Sequence, residues 1–374
     1  MEKELIELCN AFNVDGNFHS IEVINNGHIN STFLVRFEKD GKIREYVLQK
    51  INKFVFKKPD EVMENITGVT NHIIQKLKKE HKSTAKKTLT FSFASDGNPF
   101  VVDEFGDYWR VCEFIEDSMT FNETNDLFVI EETGKAFGEF QGLLSDFPAE
   151  KLNIISPHFH NTPNRYSIFK RTLNENPVGR AELVEEEIKQ YLKLEEIATR
   201  MYAMQQQGKL KLKVTHNDTK CNNVLFDNKT KKFLCVIDLD TVMPGLLGFD
   251  FGDAIRFIAN TAAEDEADVS KVDLDISKFK AFASGFLHKI GDGISEEEKN
   301  TLALGAITMT VECGLRFLTD YIDGDNYFKI DYPEHNLVRA RCQLKLAQSM
   351  IKQQGTMEQI VEEIFTSSQK GENN

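Results

Sequence analysis

Two short stretches of this chain carry side chains whose types and spacing could do chemistry. The first, VTHNDTKCNNVLFD, places His216, Asp218 and Asn223 in the pattern H-x-D-x-x-x-x-N. The second, FLCVIDLDTVMPG, leads through an apolar run to Asp238 and Asp240. An aspartate can take the proton of a hydroxyl group, and amide and carboxylate oxygens are ligands that Mg²⁺ prefers. The set therefore fits the transfer of a phosphoryl group from ATP to a hydroxyl.

Each residue type suggests a role in that chemistry. We expect Asp218 to be the catalytic base, and Asn223 and Asp238 to be ligands of Mg²⁺. Asp240 is either a second metal ligand or a cap at the end of a strand. Lys220, two residues beyond the base, either reaches the γ-phosphate of ATP or is an ordinary solvated lysine.

An alternative without chemistry is that Asp218 and Asn223 only cap turns, where Asp and Asn are favoured. The strand-like residues on both sides of the motifs, and the Ile-Asp-x-Asp ending, favour the catalytic interpretation. We expect His216 to orient the loop backbone rather than to contact a substrate. Cys221 lies inside the first motif, but a nucleophile there would need a base and a third orienting group, and His216 is the only near candidate.

The elements that would position these motifs differ between the two parts of the chain. The first part has the alternating apolar residues of strands and one amphipathic helix that Pro59 opens, with strands predicted at 21–37 (strand, turn, strand), 45–51, 87–93 and 108–115. Both motifs fall on short strands and loops between 213 and 241. The rest predicts helices at 123–145, 180–206, 249–262, 276–290, 295–322 and 335–353, and a frayed end over the last six residues. We expect a small β-rich lobe over residues 1–115 and a larger, mainly helical lobe over 116–374.

Composition limits the classes of partner. The 374 residues include 45 Lys and Arg against 59 Asp and Glu, a net charge of −14, which argues against nucleic acid and anionic membranes as partners. No window approaches 18 uninterrupted apolar residues, and the acidic start does not resemble a signal peptide. The six cysteines form no C-x-x-C pair, so we expect reduced, mostly buried thiols in a cytoplasmic protein. We expect the protein to be a monomer or a weak homodimer.

The motifs resemble those of the aminoglycoside phosphotransferase and choline kinase superfamily, a branch of the protein-kinase-like fold. Within it, HNDTKCNNVLFD, CVIDLDTVMPG and FDFGDAIRF look most like the N-acetylhexosamine 1-kinases, which phosphorylate the anomeric hydroxyl of GlcNAc or GalNAc. The resemblance runs over nearly the whole chain, from GHINSTFLV to ECGLRFLTDYIDGDNYFKI. It implies an α+β, protein-kinase-like fold with a nucleotide-binding N-terminal lobe and a catalytic, substrate-binding C-terminal lobe. It also implies ATP and Mg²⁺ as cofactors and an amino sugar as acceptor.

The resemblance also assigns residues to the nucleotide. Gly27 and Asn30 belong to a turn that would lie over the phosphates, although Gly27 alone would also fit an ordinary hairpin turn. Lys50 is the candidate phosphate lysine, paired with a helix glutamate, Glu61 or Glu64, or else a surface lysine. The adenine is expected near Glu113 and Ile115, where it would use backbone hydrogen bonds.

Further residues are assigned to the acceptor and to the support of the loop. The resemblance implies that His28, Arg316 and Tyr327 contact the sugar together with Asp218; without it, Arg316 and Tyr327 would be an ordinary salt-bridge residue and a core aromatic. Where the family pattern has an acidic residue after GHIN, this chain has Ser31, which leaves the role of that position open. Asp253, with Arg256 as its ion-pair partner, is expected to help hold the catalytic loop.

Two other functions remain open from the sequence. One is a kinase for a cationic small molecule such as choline or an aminoglycoside, whose pocket would need acids or aromatic faces around the cation. The other is a catalytically silent, kinase-like binding module. That class predicts the loss of the base or of a metal ligand, whereas Asp218, Asn223 and Asp238 are all present.

Overall fold

A computed structural model of the chain describes residues 2–24 and 29–371, and these form eleven strands and twelve helices. The strands are β1 (Asn17–Ile24), β2 (Ser31–Lys39), β3 (Lys42–Lys50), β4 (Phe91–Ser92), β5 (Val101–Val102), β6 (Tyr108–Glu113), β7 (Ser118–Met119), β8 (Lys213–Thr215), β9 (Val224–Asp227), β10 (Phe233–Val236) and β11 (Met243–Gly245). The helices are α1 (Glu2–Ala11), α2 (Pro59–Lys79), α3 (Leu127–Leu143), α4 (Thr162–Glu175), α5 (Glu185–Lys193), α6 (Glu195–Gln206), α7 (Leu247–Ile258), α8 (Ile276–Ile290), α9 (Glu296–Lys299), α10 (Leu302–Asp323), α11 (His335–Lys352) and α12 (Gln354–Gly371).

The chain divides into two compact units, and the first is assembled from three segments. These are Met1–Met119, Glu150–Ser156 and Leu225–Met243, and the second unit takes Thr120–Ala149, Pro157–Val224 and Pro244–Asn374. We expected one boundary, after residue 115, and the two later segments of the first unit lie beyond it. The first unit is rich in β-strands and the second is mostly helical, so the predicted α+β fold class is confirmed.

An antiparallel sheet forms the centre of the first unit, in the order β1-β2-β3-β6-β4 with β5 paired to β6. The tight turn between β2 and β3 uses Asp40 and Gly41, both at positive φ, as a two-residue hairpin turn requires. Alternate side chains of β2, including Val35 and Phe37, are buried with Leu48 of β3 against the helix α1. The alternation read from the sequence thus gives the core face of the sheet.

Helix α2 fixes the later segments of the first unit in place. The apolar face of this amphipathic helix is buried, and Pro59 stands at its first turn. On the same helix the buried Asn65 donates from Nδ2 to the carbonyl oxygens of Asn153 (2.9 Å) and Val242 (2.8 Å). Its Oδ1 accepts from the Asn153 N–H at 2.8 Å. One side chain therefore joins all three segments.

The second unit is built on two helix pairs that approach backbone to backbone. In the pair α3 and α8, a Cβ placed on Gly138 would lie 2.3 Å from the carbonyl oxygen of Phe286. In the pair α7 and α10, a Cβ on Gly252 would lie 2.3 Å from the carbonyl oxygen of Gly305. Only glycine leaves room for such contacts. Helix α10 is long and apolar enough to cross a membrane, yet 83% of its most apolar window is buried inside the fold, as expected of a core helix.

Several predicted elements differ from those observed. The single helix expected over 180–206 is two helices, because α5 and α6 pack against different partners: Tyr191 of α5 donates to the Ala340 carbonyl of α11, and Met201 of α6 packs against Leu304 of α10. The strand expected over 87–93 shrinks to β4. Helices α1, α4 and α12 were not predicted. In α12, the apolar face buries Met357 and Val361 within a largely polar helix.

Candidate functional site

The loop after β8 carries His216 and Asp218, and Asp250 of helix α7 holds its backbone. The Asp250 carboxylate accepts from the N–H groups of His216 and Asn217, each at 2.8 Å. Thr219 Oγ1 donates to the Asp250 carbonyl at 2.6 Å, and Gln141 of α3 donates to the Asp250 carboxylate at 2.7 Å. Asp250 thus fixes the loop on which the candidate base lies.

This finding corrects one expectation from the sequence. Asp253 was expected to hold the catalytic loop, but Asp250 does so, one helical turn earlier. Asp253 instead accepts from Arg256 at 2.9 Å, the ion pair that was predicted. Both aspartates are buried in α7, and burial works to raise the pKa of Asp253, but Arg256 and then Lys220 bring it below its usual value. Spacing within FDFGDAIRF cannot distinguish the two, because both lie on the buried side of one helix.

His216 is enclosed and contacts the loop rather than solvent. It is fully buried, with the rings of Phe137 and Phe140 in edge contact at centroid distances of 5.6 and 6.1 Å. Its Nδ1 accepts from the Asp218 N–H at 3.2 Å. These contacts fit the predicted role of orienting the loop backbone. Asn217 next to it adopts φ 65°, a left-handed conformation that Asn tolerates better than most residues.

The carboxylate of Asp218 is contacted on each of its oxygens. Lys220 Nζ lies 2.8 Å from Oδ1, and Asn223 Nδ2 donates to Oδ2 at 3.0 Å and to the Asp218 carbonyl at 2.8 Å. Burial works to lower the pKa of Lys220, but the charge and hydrogen bond of Asp218 outweigh it and raise that pKa. The structure thus brings together three of the residues selected from the first motif. The hydrogen bonds of Asn223 use its amide nitrogen, so that its carboxamide oxygen is the atom suited to bind a metal.

A cavity of about 370 Å³ in the second unit contains Asp218 in its wall. Four acidic side chains line it: Asp218, Asp253, Glu264 and Glu312. Five basic side chains line it as well: Lys220, Arg256, Arg316, Lys329 and Arg339. We refer to it as the Asp218 cavity. Its lining carries no excess of negative charge, although the chain as a whole is acidic.

The acids of the Asp218 cavity other than Asp218 are paired with groups of the protein. Arg256 lies 2.9 Å from Asp253 and 2.5 Å from Glu264. Glu312 accepts from Thr162 Oγ1 at 2.5 Å and lies 3.0 Å from His160 Nδ1. Burial works to raise the pKa of Glu312, but hydrogen bonds from His160 and Thr162 act in the opposite direction, and the pKa lies below its usual value. Glu312 is therefore a carboxylate at neutral pH.

Cations of the chain lie over three of the four phenylalanine rings that line the same cavity, and the fourth, Phe159, packs against His160. Arg256 lies 3.9 Å and Lys220 4.8 Å from the ring centre of Phe257. Arg316 lies 5.2 Å from the ring centre of Phe328, and Arg339 covers Phe317 at 5.5 Å.

The predicted substrate residues are distributed over two neighbouring cavities. Arg316 lines the Asp218 cavity, and it also lines a second cavity of about 230 Å³ that contains Tyr327. Tyr327 is 74% exposed, and its ring centre lies 5.6 Å from the Arg316 guanidinium carbon. His28 and Gly27 lie outside the described residues.

In the first unit, Asp240 is bound by two side chains from the sheet region. It forms a buried ion pair with Arg110 of β6, and its Oδ2 accepts from Asn30 Nδ2 at 2.6 Å. Asn30 Oδ1 in turn accepts from the Asn52 N–H at 2.9 Å. These contacts use one lone pair on each oxygen of the Asp240 carboxylate. Arg110 was not predicted from the sequence, where its signal is one guanidinium among the mostly apolar residues of a strand.

Lys50 does not pair with either glutamate proposed for it. Its Nζ forms an ion pair with Asp107, which also binds Lys53 at 2.7 Å. Glu61 binds Lys58 at 2.5 Å, and Glu64 accepts from Asn153 at 2.8 Å. The reason is register: Lys50 is the last residue of β3 and lies opposite Trp109, so the carboxylate just before β6 is the one within reach.

Of the residues expected near adenine, Glu113 is the last residue of β6 and Ile115 lies two residues beyond it. The Glu113 N–H donates to the Thr90 carbonyl at 2.9 Å, and the Ile115 carbonyl accepts from Ser118 Oγ at 2.5 Å. These bonds fix the backbone of the segment.

Asp238 follows β10 in a left-handed conformation, with φ 58° and ψ 57°. A residue other than glycine rarely adopts this conformation, and such strain is concentrated at functional sites. Among the residues that the structure describes, no group of three or more His, Cys, Asp or Glu side chains is arranged to hold a metal by itself. Such an arrangement is not needed for Mg²⁺, which commonly takes one or two protein oxygens and completes its shell with water and phosphate oxygens.

Comparisons with known proteins agree with this architecture. The sequence profile of a phosphotransferase enzyme family matches residues 20–273. A microcompartment-associated aminopropanol kinase aligns with a TM-score of 0.56 at 14% identity, covering 95% of this chain and 99% of that one. Choline kinase from Cryptosporidium parvum aligns at 0.58 and 15%, covering 94% and 97%. A spectinomycin phosphotransferase, solved with ADP and spectinomycin, aligns at 0.57 and 14%, covering 94% and 98%. At these identities the structural likeness shows the fold alone.

Proposed function

Because the chain belongs to the phosphotransferase enzyme family, we propose that it transfers the γ-phosphoryl group of ATP to the anomeric hydroxyl of an N-acetylhexosamine, GlcNAc or GalNAc. It is a small-molecule phosphotransferase of the aminoglycoside phosphotransferase and choline kinase type. The observation that carries the choice of acceptor is the charge of the Asp218 cavity, in which a carboxylate suited to act as base lies among acids that are paired within the protein.

Asp218 is the base in this proposal. Its carboxylate would accept the hydroxyl proton as the acceptor oxygen attacks the γ-phosphorus atom, and ADP would leave. Lys220 holds the same carboxylate at 2.8 Å. We propose that the γ-phosphate of ATP draws the Lys220 ammonium away from Asp218, which leaves the base ready to accept the proton.

For Mg²⁺ we propose Asn223 and Asp238 as protein ligands. The carboxamide oxygen of Asn223 is suited to a metal, as described above, and the left-handed backbone of Asp238 is the kind of strain that functional sites retain. The two residues flank one short hairpin of the chain, β9 and β10. Mg²⁺ bound there would neutralise charge on the phosphates of ATP. Asp240 is a weaker candidate, because Arg110 and Asn30 already bind it.

On the nucleotide side, Lys50 remains our candidate for the phosphates, with Asp107 in the place of a helix glutamate. Gly27 and Asn30 would cover the phosphates. The backbone at Glu113 and Ile115 would contact the adenine.

The lining of the Asp218 cavity supports a neutral acceptor over a cationic one. A quaternary ammonium group would need free carboxylates or aromatic faces. Asp253, Glu264 and Glu312 are paired within the protein, and the faces of Phe257, Phe317 and Phe328 are covered by its own cations. The guanidinium of Arg316 offers several donors to the hydroxyls of a sugar ring. We keep Tyr327 and His28 as proposed sugar contacts because their motifs resemble those of the N-acetylhexosamine 1-kinases.

A panel of acceptors tests the proposal. GlcNAc, GalNAc, their 1-O-methyl glycosides, choline and spectinomycin are each incubated with ATP and Mg²⁺, and ADP release is measured. We expect turnover with GlcNAc or GalNAc, a sugar 1-phosphate as product, and none with the glycosides, which lack the attacking oxygen. Faster turnover of choline or spectinomycin than of any sugar would overturn the choice of acceptor while leaving the kinase chemistry in place. ADP release that depends on no acceptor would overturn both.

A further inference from the structure

A largely buried histidine in the Asp218 cavity has a buried ring nitrogen without a hydrogen-bond partner in the part of the chain that the structure describes. The side chain of His160 lines this cavity and is 10% exposed. Its Nδ1 lies 3.0 Å from Glu312 Oε1. Its Nε2 is buried and has no hydrogen-bond partner among the residues that the structure describes. Buried polar atoms are nearly always paired, so an exception in a ligand cavity indicates a group that the ligand supplies.

Glu312 decides which hydrogen-bonding role remains for Nε2. This carboxylate is 1% exposed, can only accept, and also binds Thr162 Oγ1 at 2.5 Å. The His160 Nδ1 that faces it must therefore carry hydrogen. In the neutral imidazole Nε2 then bears the lone pair, so it accepts a hydrogen bond.

The ring of His160 is also held in one orientation. The ring of Phe159 meets it at a centroid distance of 4.6 Å, and that of Phe249 lies at 5.5 Å on a tilted contact. Together with the bond to Glu312, these contacts fix the position of Nε2. A buried nitrogen without a hydrogen-bond partner costs free energy. Because Nε2 is fixed in position, it should favour ligands that supply a hydrogen-bond donor over ligands that do not.

We propose that His160 determines acceptor specificity, with Nε2 accepting a hydrogen bond from a second hydroxyl or an amide N–H of the acceptor, distinct from the hydroxyl that Asp218 activates. The proposal rests on the proposed function and adds a requirement to it. The favoured substrates are polyhydroxylated molecules with a second donor. Choline, whose single hydroxyl is the reacting one, cannot satisfy His160 and react at once.

Two substitutions test the roles of the two ring nitrogens of His160 separately. His160→Asn places an amide nitrogen near the position of Nδ1, which preserves the bond to Glu312, and removes Nε2. His160→Gln places its amide near the position of Nε2 and loses the bond to Glu312. His288→Asn, an exposed histidine on α8, is the matched control. Each variant is assayed with the best sugar and with its analogues that lack one hydroxyl or the acetamido group.

We expect the unaltered protein to lose roughly tenfold or more in kcat/KM with one analogue. His160→Asn should lose a similar factor with the parent sugar, chiefly through KM, and should no longer distinguish that analogue from the parent. His160→Gln should retain part of the discrimination, and His288→Asn should behave as the unaltered protein does. Discrimination by His160→Asn equal to that of the unaltered protein would overturn the proposal.

A second measurement uses the unaltered protein, in case a variant does not fold. In ¹⁵N spectra of the imidazole rings, the Nε2 resonance of His160 should move when the sugar is added without ATP, because a lone pair becomes a hydrogen-bond acceptor. An unmoved resonance at saturating sugar would overturn the proposal. If the panel shows that the acceptor is not a sugar, the proposed function fails, and the same variants with the true acceptor still decide the role of His160.

Discussion

Lys220 and Asn223 each bind one oxygen of the Asp218 carboxylate, so the charge of this residue can be removed with little change in shape. In Asp218→Asn an amide, a far weaker base, replaces the carboxylate. We expect kcat to fall by roughly 10²–10⁴. The Kd values for sugar and ATP should stay within a few-fold, because contacts to the rest of each ligand do not need that charge. Steady-state kinetics and calorimetric titration measure the two effects.

The control for this prediction is Asp292→Asn, an exposed aspartate outside the cavity, which should leave kcat unchanged. A kcat of Asp218→Asn within threefold of the unaltered protein would remove Asp218 from the role of base.

The two proposed metal ligands should respond differently to Mg²⁺ concentration. Asp238→Ala removes a charged ligand, and we expect no turnover at any Mg²⁺ concentration. Asn223→Ala removes a neutral ligand, whose place a water molecule can take, so activity should be partly restored by excess Mg²⁺. Initial rates over a Mg²⁺ series at fixed ATP measure this. Near-normal turnover by Asp238→Ala would exclude it as a metal ligand.

Helix α3 contacts both α8 and the catalytic loop region. Its glycines pack against α8, and its Gln141 and Phe137 contact Asp250 and His216 respectively. A methyl group at Gly138 would lie 2.3 Å from a backbone oxygen that cannot move aside cheaply. We expect Gly138→Ala to lower the free energy of unfolding by at least about 2 kcal/mol. It should also lower kcat, because α3 would shift under the catalytic loop. Denaturant unfolding and kinetics measure both.

Gly355→Ala is the matched control for Gly138→Ala. No atom lies within 4 Å of a Cβ at this glycine of α12, so we expect unchanged activity and a stability equal to or slightly above that of the unaltered protein. Equal stability of the two alanine variants would show that α3 and α8 can separate without cost.

At the scale of elements, sequence periodicity was sufficient where one face of a helix or strand meets one partner. The helices α2 and α8 and the strands β1 to β3 were predicted on that basis, and they are present. The break between α5 and α6 was not predictable, because it depends on α11 and α10 as separate partners. Likewise the ion pair of Arg110 with Asp240 joins residues 130 positions apart, and His160 is 152 positions from Glu312. Pairs so far apart in the chain produce no pattern in the local sequence, so they could not be predicted from it.

At the scale of the whole molecule, the six cysteines should be inert. All are free thiols, and all but the half-buried Cys313 are buried, as predicted from the sequence. Burial raises the pKa of Cys9, Cys112 and Cys235 to about 12, and that of Cys313 and Cys342 to about 11. It also raises the pKa of Cys221.

At pH 8 a thiol with a pKa near 11 is ionised to only about one part in a thousand, and the thiolate is the reactive form. We therefore expect a disulfide reagent to modify the native protein very slowly, and all six thiols to react at once in denaturant. Cys313, which lines the Asp218 cavity, should react first as the pH is raised, and sugar should protect it. Fast, stoichiometric reaction at Cys221, identified by mass spectrometry, would reopen the nucleophile hypothesis for that residue.

The assembly of the first unit from three segments has a consequence for synthesis on the ribosome. When residue 119 has been added, Asp240 and Val242 do not yet exist, so Arg110 and Asn65 lack the partners that they bury in the finished protein. The unit is complete in sequence only at Met243 of the 374 residues, by which point much of the helical unit has also been translated. The nascent chain must therefore keep an incomplete first unit from aggregating while about a third of its residues are added. The amides of a fragment of residues 1–119 should be less protected from hydrogen exchange than the same amides in the whole protein.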